Sequence, residues 1–243
     1  IVSCKIAPAV AGLLLVVGGA ASAQGKNAPP IKVGVISSLT AAAAFPDSAK
    51  ATKAYFDDIN AHGGIRGRKL ALIAEDDKGD PKVAATAARR LVEQESVVAM
   101  VGSASTSECG ANADFYARQR IVSIQGTGVD TACFNSPNIS PVNTGPYVGL
   151  AAALQFASEI RARKKVCTVL MDIPGMRAGY EEAIATWKKN FRRDLHLHDP
   201  AYPPGAPTAP YVKKVIDAQC DAVVFLGLEP WVLDWLKEVK AAG

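Results

Sequence analysis

The chain has 243 residues, of which 49% are hydrophobic, 21% charged and 7% aromatic, with 20 Gly and 15 Pro. That balance fits a folded globular protein and excludes disorder, collagen and coiled coil. The formal charge of +4 is a mild excess without a basic stripe, so nucleic acid is not the expected partner; the length suits two α/β domains or one large one.

In chain order, Lys5 precedes an apolar stretch that begins at Ile6, peaks at Leu13–Val17 and gives way to small residues ending in Ala21-Ser22-Ala23. A charged start, an apolar middle and an A-x-A end read as a secretory signal peptide over 1–23, with cleavage before Gln24. A membrane anchor or buried helix fits less well, because the run is short for spanning. Opening on Ile1 and not on Met, the chain is expected to lack its extreme N-terminus. Without the signal, 220 residues and a charge of +3 remain.

Strand and helix patterns then alternate. Ile31–Ile36 is short, β-branched and bounded by Pro30 and Ser37, as a buried strand is. Ala51, Ala54, Tyr55 and Ile59 share a helix face that stops at Gly63-Gly64. A strand over Leu70–Ile73 is followed by Asp80-Pro81, an N-cap and first-turn proline for a helix through Val83, Ala84, Ala87 and Leu91. Strands over Val97–Val101 and Ile121–Ile124 flank a helix through Ala111, Phe115 and Tyr116. A turn-rich stretch over 139–145 leads to a helix near Tyr147. A second series follows, with strands over Val166–Met171 and Ala222–Leu226, a strand about His196 and His198, and a last helix over Trp231–Ala242. Alternation without hairpin signals predicts an α/β fold of two doubly wound parallel-sheet lobes, 24–142 and 143–243, joined by a hinge near 142.

In such sheets the loops after the strand ends line the ligand crevice. Two are rich in hydroxyls and glycine: Gly102-Ser103-Ala104-Ser105-Thr106-Ser107-Glu108 and Gln125-Gly126-Thr127-Gly128. Ser105 and Glu108 have the S-x-x-E spacing of a capping box, which accounts for those two residues. The surplus hydroxyls and the amides of a helix N-terminus fit recognition of an anion as well. Phosphate is the weaker candidate, because neither G-x-x-x-x-G-K-[ST] nor a full dinucleotide fingerprint occurs. A small carboxylate suits a hydroxyl-lined site without lysine.

Cys109, Cys133, Cys167 and Cys220 remain after export, in a compartment that permits disulfides. Cys109 and Cys133 lie near loops of one sheet edge, where a disulfide and free thiols are both open readings. Cys167 and Cys220 each adjoin an apolar strand and read as buried thiols. Enzyme chemistry finds little support. No G-x-S-x-G elbow presents a serine. His196 and His198, two apart, are expected as exposed strand residues and not as metal ligands, and Glu75-Asp76-Asp77 as a solvated, helix-capping group.

The succession Ile31-Lys32-Val33-Gly34-Val35, then the block Ile59-Asn60-Ala61-His62-Gly63-Gly64-Ile65-Arg66-Gly67-Arg68-Lys69, then Asp76-Asp77-Lys78-Gly79-Asp80-Pro81, resembles the branched-chain amino-acid-binding (Leu/Ile/Val-binding type) family of periplasmic solute-binding proteins. The resemblance covers the mature chain and is strongest through residue 130. It implies a type I periplasmic-binding fold, a monomer without enzymatic activity, cofactor or metal, that captures a small carboxylate-bearing solute, an amino acid, for an ABC permease in the inner membrane. The alternative is a ligand-sensing receptor of the same fold for amides or for aromatic or aliphatic acids. The family's ligand loops fall on Ala104, Ser105 and Thr106 and on Thr127 to Val129, its covering aromatic on Phe45, and its second-lobe contacts on Leu228 and Glu229. In place of a frequent second-lobe tyrosine stands Gly175-Met176-Arg177, with Tyr180 later. The resemblance also implies that segments completing both sheets lie beyond Gly243.

Overall fold

The computed structural model describes residues 28–41, 43–173 and 175–243. The expected signal peptide lies outside the described residues. Sixteen elements alternate: β1 (Ile31–Ser37), α1 (Pro46–Ala61), β2 (Leu70–Asp76), α2 (Pro81–Arg89, continuing in a wider turn over Arg90–Gln94), β3 (Ala99–Ala104), α3 (Glu108–Gln119), β4 (Val122–Thr127), α4 (Thr131–Asn135), β5 (Ile139–Pro141), α5 (Gly145–Gln155), β6 (Val166–Met171), α6 (Arg177–Phe191), β7 (Leu197–Tyr202), α7 (Ala209–Asp217), β8 (Ala222–Leu226) and α8 (Glu229–Ala241). All strand pairs are parallel, in two sheets ordered β2-β1-β3-β4-β5 and β7-β6-β8. Parallel pairing with helical crossovers puts every strand's carboxyl end on one edge of its sheet. Among the described residues no helix is long and apolar enough to cross a membrane.

The block from Ile59 to Lys69 has a mechanical explanation. Gly63 and Gly64 take positive φ and end α1, with the Gly64 N–H donating to Ile59 O (2.9 Å). Ile65 and Arg68 exchange both backbone hydrogen bonds around Gly67. Asn60 then accepts from Leu70 N–H (2.7 Å) and donates to Leu70 O (2.9 Å), fixing the helix end to the start of β2.

β6 and, from Val33 onward, β1 are covered on both faces, which is why their sequences are largely apolar. One core group joins Ile36, Leu91, Met100, Phe115 and Tyr116; a larger one packs β6 against Leu150, Leu154, Tyr180, Ile184 and Trp187. Complete burial of Leu150 and Leu154 stabilises the fold by roughly 1.5–3 kcal/mol each.

Several expectations require correction. β2, β3 and β4 each run about three residues further than their apolar stretches, so Glu75 and Asp76, Ser103 and Ala104, and Gln125 to Thr127 are strand residues. Polar side chains join the ladder there: the Ser103 hydroxyl accepts from Ile36 N–H and the Ser37 hydroxyl from Ala104 N–H. Pro141 sits in β5, a strand at the sheet's edge, where its missing N–H is tolerated. Of the two readings left open for Cys109 and Cys133, the disulfide is the one found. Cys167 and Cys220 are not free thiols but a second disulfide. The reason is strand order: β6 pairs directly with β8, and Asp221 N–H donates to Lys165 O, which brings the residue before it alongside β6.

Asp77 is not solvated. It is fully buried, accepting from the Ser38 hydroxyl (2.7 Å) and Gly79 N–H (2.9 Å), while its Oδ2 has no partner. Asp76 accepts from Leu39 N–H and the Thr40 hydroxyl, and the cap of α2 is Asp80, which accepts from Lys82 N–H. The acidic run therefore pins the loop after β1 to the end of β2. His196 precedes β7, exposed, with its Nε2 on Ala218 O; His198, in β7, is partly buried between Thr168 and Glu181.

Candidate functional site

The carboxyl ends of β3, β4, β6 and β8 converge on a cleft between the two sheets. Two cavities open on it. One, of about 340 Å³, is walled by Thr106, Ser107, Gly110, Asp130 and Thr131 from the first sheet's loops and by Ile173 and Gly175 from the second's. The other, of about 280 Å³, is walled by Thr127 to Val129, Asn143, Met171, Ile173, Met176, Tyr180 and Leu226 to Leu228. Among the described residues lining either one, Asp130 is the single side chain that carries a formal charge.

The first wall is built from β3 and α3. Gly102 takes φ +84°, and a Cβ there would stand 2.0 Å from the Thr52 hydroxyl, so only glycine lets α1 lie against this strand end. The Ser48 hydroxyl donates to Gly102 O (2.6 Å). Ser105 is buried, and its Oγ accepts from Ser107 N–H (3.1 Å) and Glu108 N–H (3.2 Å). Ser105 thus makes one half of the hydrogen bonds the S-x-x-E spacing predicts, although Ser107 and not Ser105 stands at the N-cap. Glu108 does not make the other half: it turns inward, fully buried, accepting from the Tyr116 hydroxyl and from Gln125 Nε2 (2.5 Å each). Burial pushes its carboxyl up to about 7, against the two hydrogen bonds and with the nearby Asp77 and Asp130.

The second wall follows β4. Asp130 is buried and caps α4, its Oδ1 accepting from Cys133 N–H (3.2 Å). Its Oδ2 reaches across to Gly110 N–H in the first turns of α3 (2.9 Å). Three amides at the start of α3, those of Ser107, Glu108 and Gly110, are therefore occupied by protein oxygens. Ser107 lines the larger cavity, but its hydroxyl oxygen is buried beneath the surface, without a partner. Asn143 pairs with Gly128 through both its amide atoms (2.8 and 2.9 Å), and the Tyr147 hydroxyl donates to Val129 O (3.1 Å). Across the cleft, Thr131 Oγ1 donates to Gly175 O (3.3 Å).

Of the residues singled out in the sequence, Thr106 lines the larger cavity, and Thr127, Val129 and Leu228 the smaller. Ala104 and Ser105 lie buried behind the first wall, and Val129 has its carbonyl engaged by Tyr147. Phe45 is half-buried at the start of α1, its N–H on Ser38 O, and Glu229 is exposed in the first turn of α8; neither lines either of these two cavities. Sequence reasoning missed Asp130 and Asn143 as cleft residues, and named Ser107 only within its hydroxyl-rich loop and Tyr180 only as lying beyond the position of the family's tyrosine. Asp130 had a local signal, a capping side chain three residues before Cys133. The others depend on which loops meet. Cys109, Asp130 and Cys133 place three potential metal-ligand atoms together, but both sulfurs are in the disulfide.

A family model described as periplasmic binding protein matches residues 30–243. An amino acid binding protein of Pseudomonas aeruginosa is 40% identical over 68 residues, 28% of this chain and 18% of its own length. Among solved structures, an ABC transporter substrate-binding protein from Sphaerobacter thermophilus superposes with a TM-score of 0.72 at 20% identity, over 88% of this chain and 60% of its own. A branched-chain amino acid transporter substrate-binding protein from Streptococcus pneumoniae in complex with isoleucine gives 0.73 at 20%, over 88% and 62%. A solute-binding protein from R. palustris in complex with 4-hydroxybenzoate gives 0.73 at 20%, over 88% and 60%. At such identities the likeness concerns the fold, and the chain spans about 60% of the length of these structures.

Proposed function

The chain belongs to the periplasmic binding protein family, and from that premise we propose that it is an exported, non-enzymatic protein that captures a small carboxylate-bearing solute, an amino acid, between two lobes meeting near residue 142. Delivery is to an ABC permease. The observation that carries the reading is the cleft itself, with hydroxyl-bearing Thr106 and Thr127 at parallel strand ends in the walls of its two cavities. Charge-assisted hydrogen bonds to a carboxylate contribute about 1.5–3 kcal/mol each, so three or four supply a large part of the roughly 8 kcal/mol of micromolar binding.

One observation favours a second reading, an aromatic or aliphatic acid. The smaller cavity's second-sheet wall of Met171, Ile173, Met176, Leu226 and Leu228 offers no ion to an ammonium group. Thermal melting of the full chain against leucine, isoleucine, 4-hydroxybenzoate, 4-methylpentanoate and simple amides separates the two. A solute at a hundred times its Kd adds about 2.7 kcal/mol of stability. Selective response to leucine or isoleucine supports the first reading, and response to the acids lacking an ammonium supports the second. Success of the amides alone overturns both. For a solute that responds, Thr106→Ala is expected to weaken binding at least about tenfold; unchanged affinity returns that loop to helix capping.

A further inference from the structure

The two loops that face the cleft from the first sheet are tied to each other, at the roots of the helices that follow them, by two separate bonds. Cys109 lies in the first turn of α3, directly after the loop that carries Thr106 and Ser107, and Cys133 lies in α4, directly after the loop of Thr127 to Asp130; the disulfide joins them. Asp130 makes the second tie, with one carboxylate oxygen on Gly110 of α3 and the other on Cys133 of α4. Both sulfurs and the carboxylate are buried, and the disulfide is part of the core under β1 and β3. α4 is a single five-residue helix, too short to hold its place by its own hydrogen bonds. Without the ties, the spacing between the two cleft loops would rest on the sheet register and on the single bond from Gln125 to Glu108, and that register shifts between Val101 and Ala104, where β3 meets the end of β4.

The other disulfide stands in a different relation to the cleft. Cys167 is the second residue of β6 and Cys220 precedes β8, so that bond sits at the amino ends of the second sheet's strands, opposite the cleft edge. One disulfide thus spans the walls of the binding cleft and the other only closes a sheet.

We propose that the Cys109–Cys133 disulfide and Asp130 form a positioning unit that holds the two cleft loops at the spacing a solute requires, so that full affinity depends on the oxidised state of this one pair. The inference rests on the cleft being the solute site, as proposed above. A pre-set spacing raises affinity because the solute need not order the loops on binding, whereas the second disulfide contributes to stability without setting that spacing.

The test uses the full chain and the first member of the melting panel that binds; if none binds, the function reading fails before this one is reached. Kd is measured by calorimetry for the wild type, Cys109→Ala/Cys133→Ala and Cys167→Ala/Cys220→Ala, each shown to be folded by circular dichroism at the assay temperature. Both double variants melt lower. The first is expected to bind about tenfold more weakly or worse, and the second to stay within about twofold of wild type. Should the first fail to fold, Asp130→Ala, which leaves both disulfides in place, is expected to weaken the same solute at least about fivefold. Equal affinity of both double variants, or an unchanged Kd for Asp130→Ala, overturns the proposal.

Discussion

Glu108 shows how a residue's type and spacing can be legible while its role is not. The S-x-x-E pattern announced the start of α3, and the Ser105 hydroxyl does accept from Glu108 N–H, although the N-cap position falls on Ser107. The carboxylate, however, meets Tyr116 two turns along α3 and Gln125 on the neighbouring strand, and only the second of these depends on strand order. β4 made that meeting hard to foresee, because it buries Ser123 and Gln125 and leaves Val122 and Ile124 exposed. A consequence is measurable. The Glu108 carboxyl is raised from 4.5 to about 7 by burial, so between those values the folded state holds a proton that the unfolded state releases. Its contribution is fully present below pH 4.5 and declines as pH rises through 7, by an amount on the order of 3 kcal/mol. Melting temperatures across that window should fall more steeply for the wild type than for Glu108→Gln; parallel curves would show that Glu108 does not titrate there. Asp76, Asp194 and Asp221, whose carboxyls are held low, contribute at the acid end instead, where stability is lost as pH falls below the usual carboxylate range.

At the level of elements, the alternation of strand and helix was readable because buried parallel strands and amphipathic helices differ in period. Strand ends were less readable, since serines 37 and 103 extend the ladder with side-chain bonds that carry no hydrophobic signal. Contacts between helices were not readable at all. Gly179 of α6 is an example: a Cβ there would stand 2.3 Å from the ring of Tyr147 in α5, the same tyrosine that holds Val129 O. Gly179→Ala should therefore displace that ring and destabilise the protein by about 1–3 kcal/mol. Gly149→Ala, in α5 with nothing within 4 Å of the new Cβ, is the matched control and should gain up to about 1 kcal/mol from helix propensity. Equal melting of the two variants would refute the packing account.

For the whole molecule, two parallel sheets aim their strand ends at one cleft, and the bond from Thr131 to Gly175 O already crosses it. If a solute touches both lobes, its greater affinity for the closed form draws them together. Small-angle scattering should then record a smaller radius of gyration at saturating solute, and an unchanged radius would mean that one lobe does the binding. The architecture was legible from the sequence, whereas the depth of the cleft and its lining were not, because they arise where loops distant in sequence meet.

The pairing of the cysteines bears on how the chain is made. The four that are paired join in the order in which they leave a ribosome or a translocation pore, first with second and third with fourth, and each bond stays within the stretch of chain that builds one sheet. Four thiols allow three pairings. Oxidation that keeps pace with emergence closes the earlier bond before the later cysteines arrive and reaches the native pairing with no shuffling. Refolding from the fully reduced, full-length chain loses that ordering, so mispaired species and a need for disulfide exchange belong to the test tube more than to synthesis.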